Sequence, residues 1–175
     1  MKQVRTRVPF VAVGLFLAAY LGPRLAGVRV NTSASMPRGL YRVVEGELSR
    51  GAIVAACLPL DVARFGMERH YLGAGTCAGG AEPVVKKVGG VAGDFVEVTT
   101  GGVMVNGEVL PRSRPLAEDR GGRPLAPFPR GPRRLVAGEV WLYSPYEARS
   151  WDSRYYGPIP ASNVLHVVAP LVTFR

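Results

Sequence analysis

The stretch that most constrains this chain is its amino terminus, where "MKQVRTR" is followed by "VPFVAVGLFLAAYLG". Val8 to Gly22 carry no charge, and the next charged residue is Arg24. Positive charge ahead of an apolar run marks a segment that enters a membrane with its amino terminus left in the cytosol. Fifteen uncharged residues are short for a spanning helix, which needs about 17 to 25. Extension to Val30 reaches that length if Arg24 snorkels to the outer interface. Three readings stand side by side: an uncleaved anchor, a cleaved signal peptide with "RLAG" as its cleavage region, and a buried core helix. The expectation carried forward is a cytoplasmic segment over 1–7, a transmembrane anchor over 8–27 and a body over 28–175 outside the cytoplasm.

The body reads as strands. The 175 residues fit one domain plus an appendage, and 22 Gly with 15 Pro make the chain rich in turns. Short valine-rich runs between those turns favour strands over helices. "GLYRVVE", "GAIVAACL", "PVVKKVGG", "DFVEVTTGGVMVNGEVL", "EVWLYS" and "VLHVVAPLVTF" are the expected strands, with an Asn106-Gly107 hairpin turn inside the fourth. One short helix is expected over Val62–Tyr71. Residues 111–134, rich in Pro and Arg with little periodicity, predict a long surface excursion. So many short strands leave edges that need covering, and the expected fold class is mainly β, a β-barrel or sandwich with a single amino-terminal transmembrane anchor helix.

Charge and cysteine usage narrow the function classes. The net charge is +9, of which Lys2, Arg5 and Arg7 supply three units ahead of the apolar run. The rest is spread among loops that include Arg130, Arg133 and Arg134, with no run interleaving aromatic and basic residues. Nucleic acid is therefore not an expected partner, whereas anionic membrane lipid suits the same charge. Cys57 and Cys77 are too few and too far apart for a zinc site, so no metal and no cofactor are expected. In an oxidising compartment they form a disulfide; in the cytosol they are two separate thiols.

Three stretches carry possible chemistry: "TSASMPRG", "VVKKVGGVAGD" and "SWDSRYYGP". Each has a plain explanation: linker hydroxyls at Ser33 and Ser35, a solvent-facing pair at Lys86 and Lys87, and a surface pair of Asp152 with Arg154. The strand period, however, sends Lys86 and Lys87 to opposite faces, so one of them points inward. A desolvated lysine loses its proton more readily and can serve as a general base. Valines 84, 85 and 88 supply apolar surroundings, and the separation of 51 positions from Ser35 to Lys86 allows the chain to fold back. Neither His70 nor His166 has a sequence partner suited to a Ser-His-Asp arrangement. A serine with a lysine base is the variant these residues offer.

Taken together the three stretches resemble the boxes of the type I signal peptidase family, membrane-anchored serine proteases with a Ser-Lys dyad. "VKKVGGVAGD" is similar to the lysine box, and "SWDSRYYGPIP" to the last box, the most specific of the matches. "NTSASMPRGLYR", the cysteine pair and "GGRPL" are most similar to the conjugative-transfer, TraF-type branch. The resemblance implies Ser35 as nucleophile, Lys86 as general base, Ser33 as a helper of the Ser35 amide at the oxyanion, and Ser150 as a residue that orients the lysine amine. It implies that Asp152 and Arg154 form a structural or activating ion pair, with Asp152 also counted in the active site. Pro37 comes one residue earlier than in ordinary signal peptidases, which keeps Ser33 as a second candidate nucleophile. The implied protein sits in the bacterial inner membrane with its catalytic domain in the periplasm. It cleaves a precursor polypeptide after small residues, the precursor being a conjugative pilin, with cyclisation as one outcome. Components of a conjugation or type IV secretion apparatus are the implied partners. The rival readings are a signal peptidase of broad specificity and a non-catalytic membrane-anchored scaffold.

Overall fold

The computed structural model describes residues 27–174, so the expected anchor lies outside the described residues. Among the described residues no helix is long and apolar enough to cross a membrane. Eleven strands follow in chain order: β1 (Val28–Asn31), β2 (Arg38–Val44), β3 (Ile53–Ala56), β4 (Val84–Val91), β5 (Phe95–Val98), β6 (Val103–Val105), β7 (Glu108–Val109), β8 (Gly131–Arg134), β9 (Glu139–Tyr143), β10 (Ile159–Pro160) and β11 (Val164–Phe174). Helix α1 spans Leu60–Glu68, and the single turn α2 spans Ser153–Tyr156.

The strands form a seven-stranded antiparallel sheet in the order β1-β2-β11-β3-β4-β9-β10 and a four-stranded sheet in the order β7-β6-β5-β8. The mainly β class agrees with expectation, but no closed barrel forms among the described residues. The outermost strands of the larger sheet, β1 and β10, are only four and two residues long. Strands that short present few unpaired backbone groups, so closure is not needed to protect them. The excursion expected over 111–134 is likewise shorter than the sequence predicts. Its last four residues, "GPRR", pair with β5 as an outer strand. Pro and Arg are tolerated at a sheet edge, where one side of the backbone needs no partner.

Two of the sequence's turn signals carry weight in the fold. Asn106 and Gly107 both adopt positive φ (51° and 86°), as a tight hairpin turn between β6 and β7 requires. Gly39 has φ 141°, and a Cβ there would lie 2.1 Å from the Val172 carbonyl oxygen. The glycine of "PRGLY" therefore lets β11 run hard against β2.

The core has three parts. Val54, Leu58, Ala63, Val84, Val88 and Leu142 belong to the largest cluster, beneath α1. The smaller sheet buries Val96, Val98, Val103 and Val105 against Trp141 and Tyr143 of β9. Met36, Tyr41, Ala55, Val85 and Val168 close the region behind the serine loop. β4 lies between β3 and β9 and is covered on both faces, with Val84 and Val88 in the largest cluster and Val85 in the cluster behind the serine loop.

Helix α1 begins two residues earlier than the expected Val62 and ends at Glu68 rather than Tyr71. His70 takes a left-handed φ of 57°, and the Tyr71 amide turns back to the Gly66 carbonyl at 2.7 Å. That geometry ends the helix. Cys57 and Cys77 are joined in a disulfide across the segment that contains α1.

Candidate active site

The serine loop is the connection of the β1–β2 hairpin, closed where Asn31 pairs with Gly39. Asn31 organises it from within. Its carboxamide nitrogen donates to the carbonyls of Ser33, Met36 and Pro37, each at 3.1 Å. Its carboxamide oxygen accepts from the Ser33 amide at 3.3 Å and from the Ser33 hydroxyl at 3.1 Å. The Tyr41 hydroxyl adds a bond to the Pro37 carbonyl at 2.7 Å. Met36 is buried below, and Ser35 is left half-buried at the loop's tip.

Lys86 comes from the middle of β4, paired with Val54 of β3. It is 2% exposed, whereas its neighbour Lys87 faces the other way and is half-buried. The Lys86 amine Nζ stands 2.7 Å from Ser35 Oγ and 2.5 Å from Ser150 Oγ. Burial removes water from the ammonium and lowers its pKa from 10.5 to about 8; the field of Asp152 opposes that fall, and Arg154 assists it. At pH 7 about one Lys86 in ten is then neutral, against about one in three thousand for an ordinary lysine. A neutral amine at hydrogen-bond distance from a hydroxyl can take the hydroxyl proton.

Ser150, Asp152 and Arg154 follow β9 and lead into α2. Asp152 caps α2, accepting from the Arg154 amide, and makes a two-pronged contact with the Arg154 guanidinium at 2.8 Å on each oxygen. Both residues are fully buried. Arg154 Nη1 also donates to the carbonyls of Arg112, Arg114 and Ala148 at 3.0–3.1 Å. Burial of a charged pair is tolerated when the remaining donors are satisfied in this way. The second oxygen of Asp152 further accepts from the Ser144 amide at 3.2 Å, and the Ser144 hydroxyl donates to the Ser35 carbonyl. Asp152 thus reaches Ser35 through Ser144 and reaches Lys86 through its field; its hydrogen bonds go to Arg154 and Ser144.

Ser33, Ser35, Lys86 and Ser150 line one cleft of about 710 Å³. One wall is the stretch Arg69–Gly73 that follows α1, carried in the disulfide-closed segment. Trp151, next to Ser150, is fixed by ring contacts with Phe65, Tyr71 and Tyr156 at centroid distances of 5.8, 5.2 and 5.0 Å. The excursion extends that wall around Asp119, which accepts from the Tyr71 hydroxyl at 2.5 Å and from Arg123 Nε at 2.7 Å. His70 lines the cleft, whereas His166 stands beside Arg29 on β1. No group of His, Cys, Asp and Glu side chains suited to a metal ion occurs among the described residues.

Ser33, Ser35, Lys86 and Ser150 are therefore brought to one cleft with the Asp152–Arg154 pair behind it, Lys87 faces away, and Cys57 and Cys77 brace the wall. Sequence reasoning gives no role to Asn31 or Ser144, although both organise the serine loop. For Asn31 a signal exists, because a side-chain amide two residues before Ser33 readily bonds to its own loop backbone. For Ser144 there is none: it comes to Ser35 only through tertiary folding.

The family model described as signal peptidase, peptidase S26, matches residues 1–172. A plasmid transfer protein TraF from Escherichia coli is 40% identical over 175 residues, covering 99% of this chain and 98% of its own. A probable conjugal transfer protein TraF from Sinorhizobium fredii is 40% identical over 166 residues, covering 93% of this chain and 84% of its own. The crystal structure of a signal peptidase I from Enterococcus faecalis covers 72% of this chain and 100% of that chain, at 17% sequence identity and a TM-score of 0.41. With the family match spanning nearly its whole length and these relatives alongside, the chain belongs to the signal peptidase family, peptidase S26.

Proposed function

We propose that this protein is a membrane-anchored serine endopeptidase that processes a precursor polypeptide through a dyad of Ser35 and Lys86. The observation that carries the reading is the 2.7 Å separation between a buried lysine amine and the Ser35 hydroxyl. Neutral Lys86 takes the proton of Ser35 as its oxygen adds to the scissile carbonyl. The tetrahedral intermediate collapses as the resulting ammonium passes that proton to the departing amine, leaving an ester on Ser35. Ser150 holds the lysine amine in place. The Ser35 amide and the Ser33 hydroxyl serve the oxyanion, for which Ser33 must turn away from Asn31 while its amide stays held. Asp152 with Arg154 fixes the loop that contains Ser144 and Ser150.

The TraF relatives, a plasmid transfer protein and a probable conjugal transfer protein, support a role in conjugation; within that role the proposed substrate is a pilin precursor. The uncharged run over Val8–Gly22 supports anchoring in the inner membrane, and the Cys57–Cys77 disulfide supports a periplasmic body, since such bonds persist in oxidising compartments. An ester on Ser35 can be resolved by water or by the precursor's own amino terminus, the latter giving a cyclic product.

Ser35→Ala and Lys86→Ala are expected to abolish precursor processing while the fold is retained, as read by gel mobility of the precursor and circular dichroism. Processing that survives in both folded variants would leave the scaffold reading standing. Mass spectrometry of the product decides the second step: a cyclic product is one water lighter than the linear one.

A further inference from the structure

A second cleft of about 670 Å³ begins where the first one ends. The main cleft is lined by the serine loop as far as Ser35, and the second by Ala34 and the residues that follow Ser35, with Ala34 and Arg38 shared. Its floor and sides are Met36, Pro37, Tyr146 and Phe174, and the charged residues lining it are Arg38 and Arg112; no acidic side chain lines it. Among the described residues neither arginine takes part in an ion pair.

Arg112 is placed with some care. It adopts a left-handed φ of 54°, unfavourable for a side chain of its size. The strained backbone is held because the buried Arg154 guanidinium donates to the Arg112 carbonyl at 3.0 Å. Its own Nη1 donates to the Tyr146 carbonyl at 3.3 Å, and among the described residues the rest of the guanidinium has no side-chain partner where it lines the cleft. Tyr146 in turn is tied to the serine loop, since its amide donates to Ser144 Oγ at 3.2 Å and Ser144 donates to the Ser35 carbonyl. The same frame that sets Ser35 therefore sets Arg112.

We propose that this second cleft is the leaving-group subsite and that Arg112, with Arg38, recognises a carboxylate in the precursor segment that follows the scissile bond. The inference rests on the peptidase reading above. The acyl half of the substrate must be held through both chemical steps. It fits the main cleft, which is flanked by the extended backbone at the end of β1 and the start of β4 and can pair with a strand-like peptide. The half that departs then crosses Ser35 into the smaller cleft, where two guanidiniums without an acidic partner among the described residues complement a negative charge. An amine that attacks the Ser35 ester enters by the same side, because it reverses the departure of the leaving amine.

The test uses the full chain in detergent and three fluorogenic peptides with one acyl half ending in Ala. Their tails are a short neutral tail with a free carboxyl terminus, the same tail amidated, and the amidated tail with one Glu. The two carboxylate-bearing peptides are expected to be cleaved about tenfold better in kcat/KM than the neutral one, mostly through KM. The difference between them tells a chain terminus from a side chain. Arg112→Gln is expected to erase the preference and Arg112→Lys to keep part of it, with an unchanged unfolding midpoint as the control for folding. Equal cleavage of all three peptides by the unmodified protein overturns this inference and leaves the peptidase reading intact. No cleavage of any of them overturns both. A preference that survives Arg112→Gln, while binding to phosphatidylglycerol vesicles falls, assigns the arginines to lipid instead.

Discussion

Lys86 decides more about this protein than any other residue, because a lysine 2% exposed in the middle of a sheet is a liability unless it is used. Its amine is lowered to about 8 against 10.5 for the free side chain. On the proposed mechanism kcat/KM rises tenfold per pH unit below that value and levels off above it. A pH profile of peptide cleavage with an acid limb near 6.5 or near 10.5 would remove Lys86 as the base. Stability carries the same signature with a definite sign. Below about pH 8 the amine is protonated in both folded and unfolded chains, and the fold bears the cost of a buried charge. Between about 8 and 10.5 the unfolded chain binds a proton that the folded chain does not, so stability rises with pH through that window. Lys86→Met keeps the volume without the charge. It is expected to be more stable than the unmodified protein by about 1 kcal/mol or more at pH 7, to lose the 8-to-10.5 rise, and to be inactive, as read by urea denaturation across pH and by peptide cleavage. Ser144 acts on the other partner. Its hydroxyl holds the Ser35 carbonyl and accepts from the Tyr146 and Glu147 amides. Ser144→Ala is expected to lower kcat about tenfold with little change in KM, which steady-state kinetics would resolve.

At the scale of elements, the connection from β9 into α2 does the joining. Asp152 caps α2, pairs with Arg154 and bonds the Ser144 amide, so one buried carboxylate ties the last box to the serine loop. Asp152→Asn leaves the Arg154 charge buried and unmatched, at an expected cost of about 3–5 kcal/mol in urea denaturation. It also removes the negative charge that favours the lysine ammonium, so the acid limb of the pH profile moves to lower pH. A variant that loses activity with stability and pH profile unchanged would instead place Asp152 in the chemistry itself. Much of this architecture is legible in the sequence. The valine runs give β2, β3, β4, β9 and β11, and period-2 alternation separates Lys86 from Lys87. What escapes has physical causes. β8 is an edge strand whose Pro132 and two arginines hide its β character. The end of α1 depends on His70 entering a left-handed conformation that side-chain pattern does not encode. Closure into a barrel is unnecessary because the outer strands are too short to need it, and strand shortness at β1 and β10 emerges only from pairing. Ser144 meets Ser35 across 109 positions of chain, a contact no local signal announces.

For the whole molecule, the disulfide connects compartment, stability and substrate cleft. From sequence alone Cys57 and Cys77 pair only if the body lies in an oxidising space; in the fold they close the segment that carries α1 and the Arg69–Gly73 wall. That segment has its own apolar support, with Ala63 and Leu72 in the main core, and Phe65 and Tyr71 against Trp151. The bond is therefore not what makes the segment fold, but it removes freedom from the unfolded chain across a separation of 20 residues. Chain-entropy reasoning puts this at about 3 kcal/mol. The double variant Cys57→Ala, Cys77→Ala is expected to lose stability of that order in urea denaturation. Kinetically its effect should fall on KM, because on the proposed reading the wall holds substrate while the Ser35–Lys86 contact is built from β4 and the β1–β2 loop. Reductant added to the unmodified protein should reproduce both changes and have no effect on the variant. A fall in kcat with KM unchanged would mean that the brace reaches Ser150 through Trp151 rather than the cleft wall, and pre-steady-state acylation of a peptide ester would locate that loss in the first chemical step.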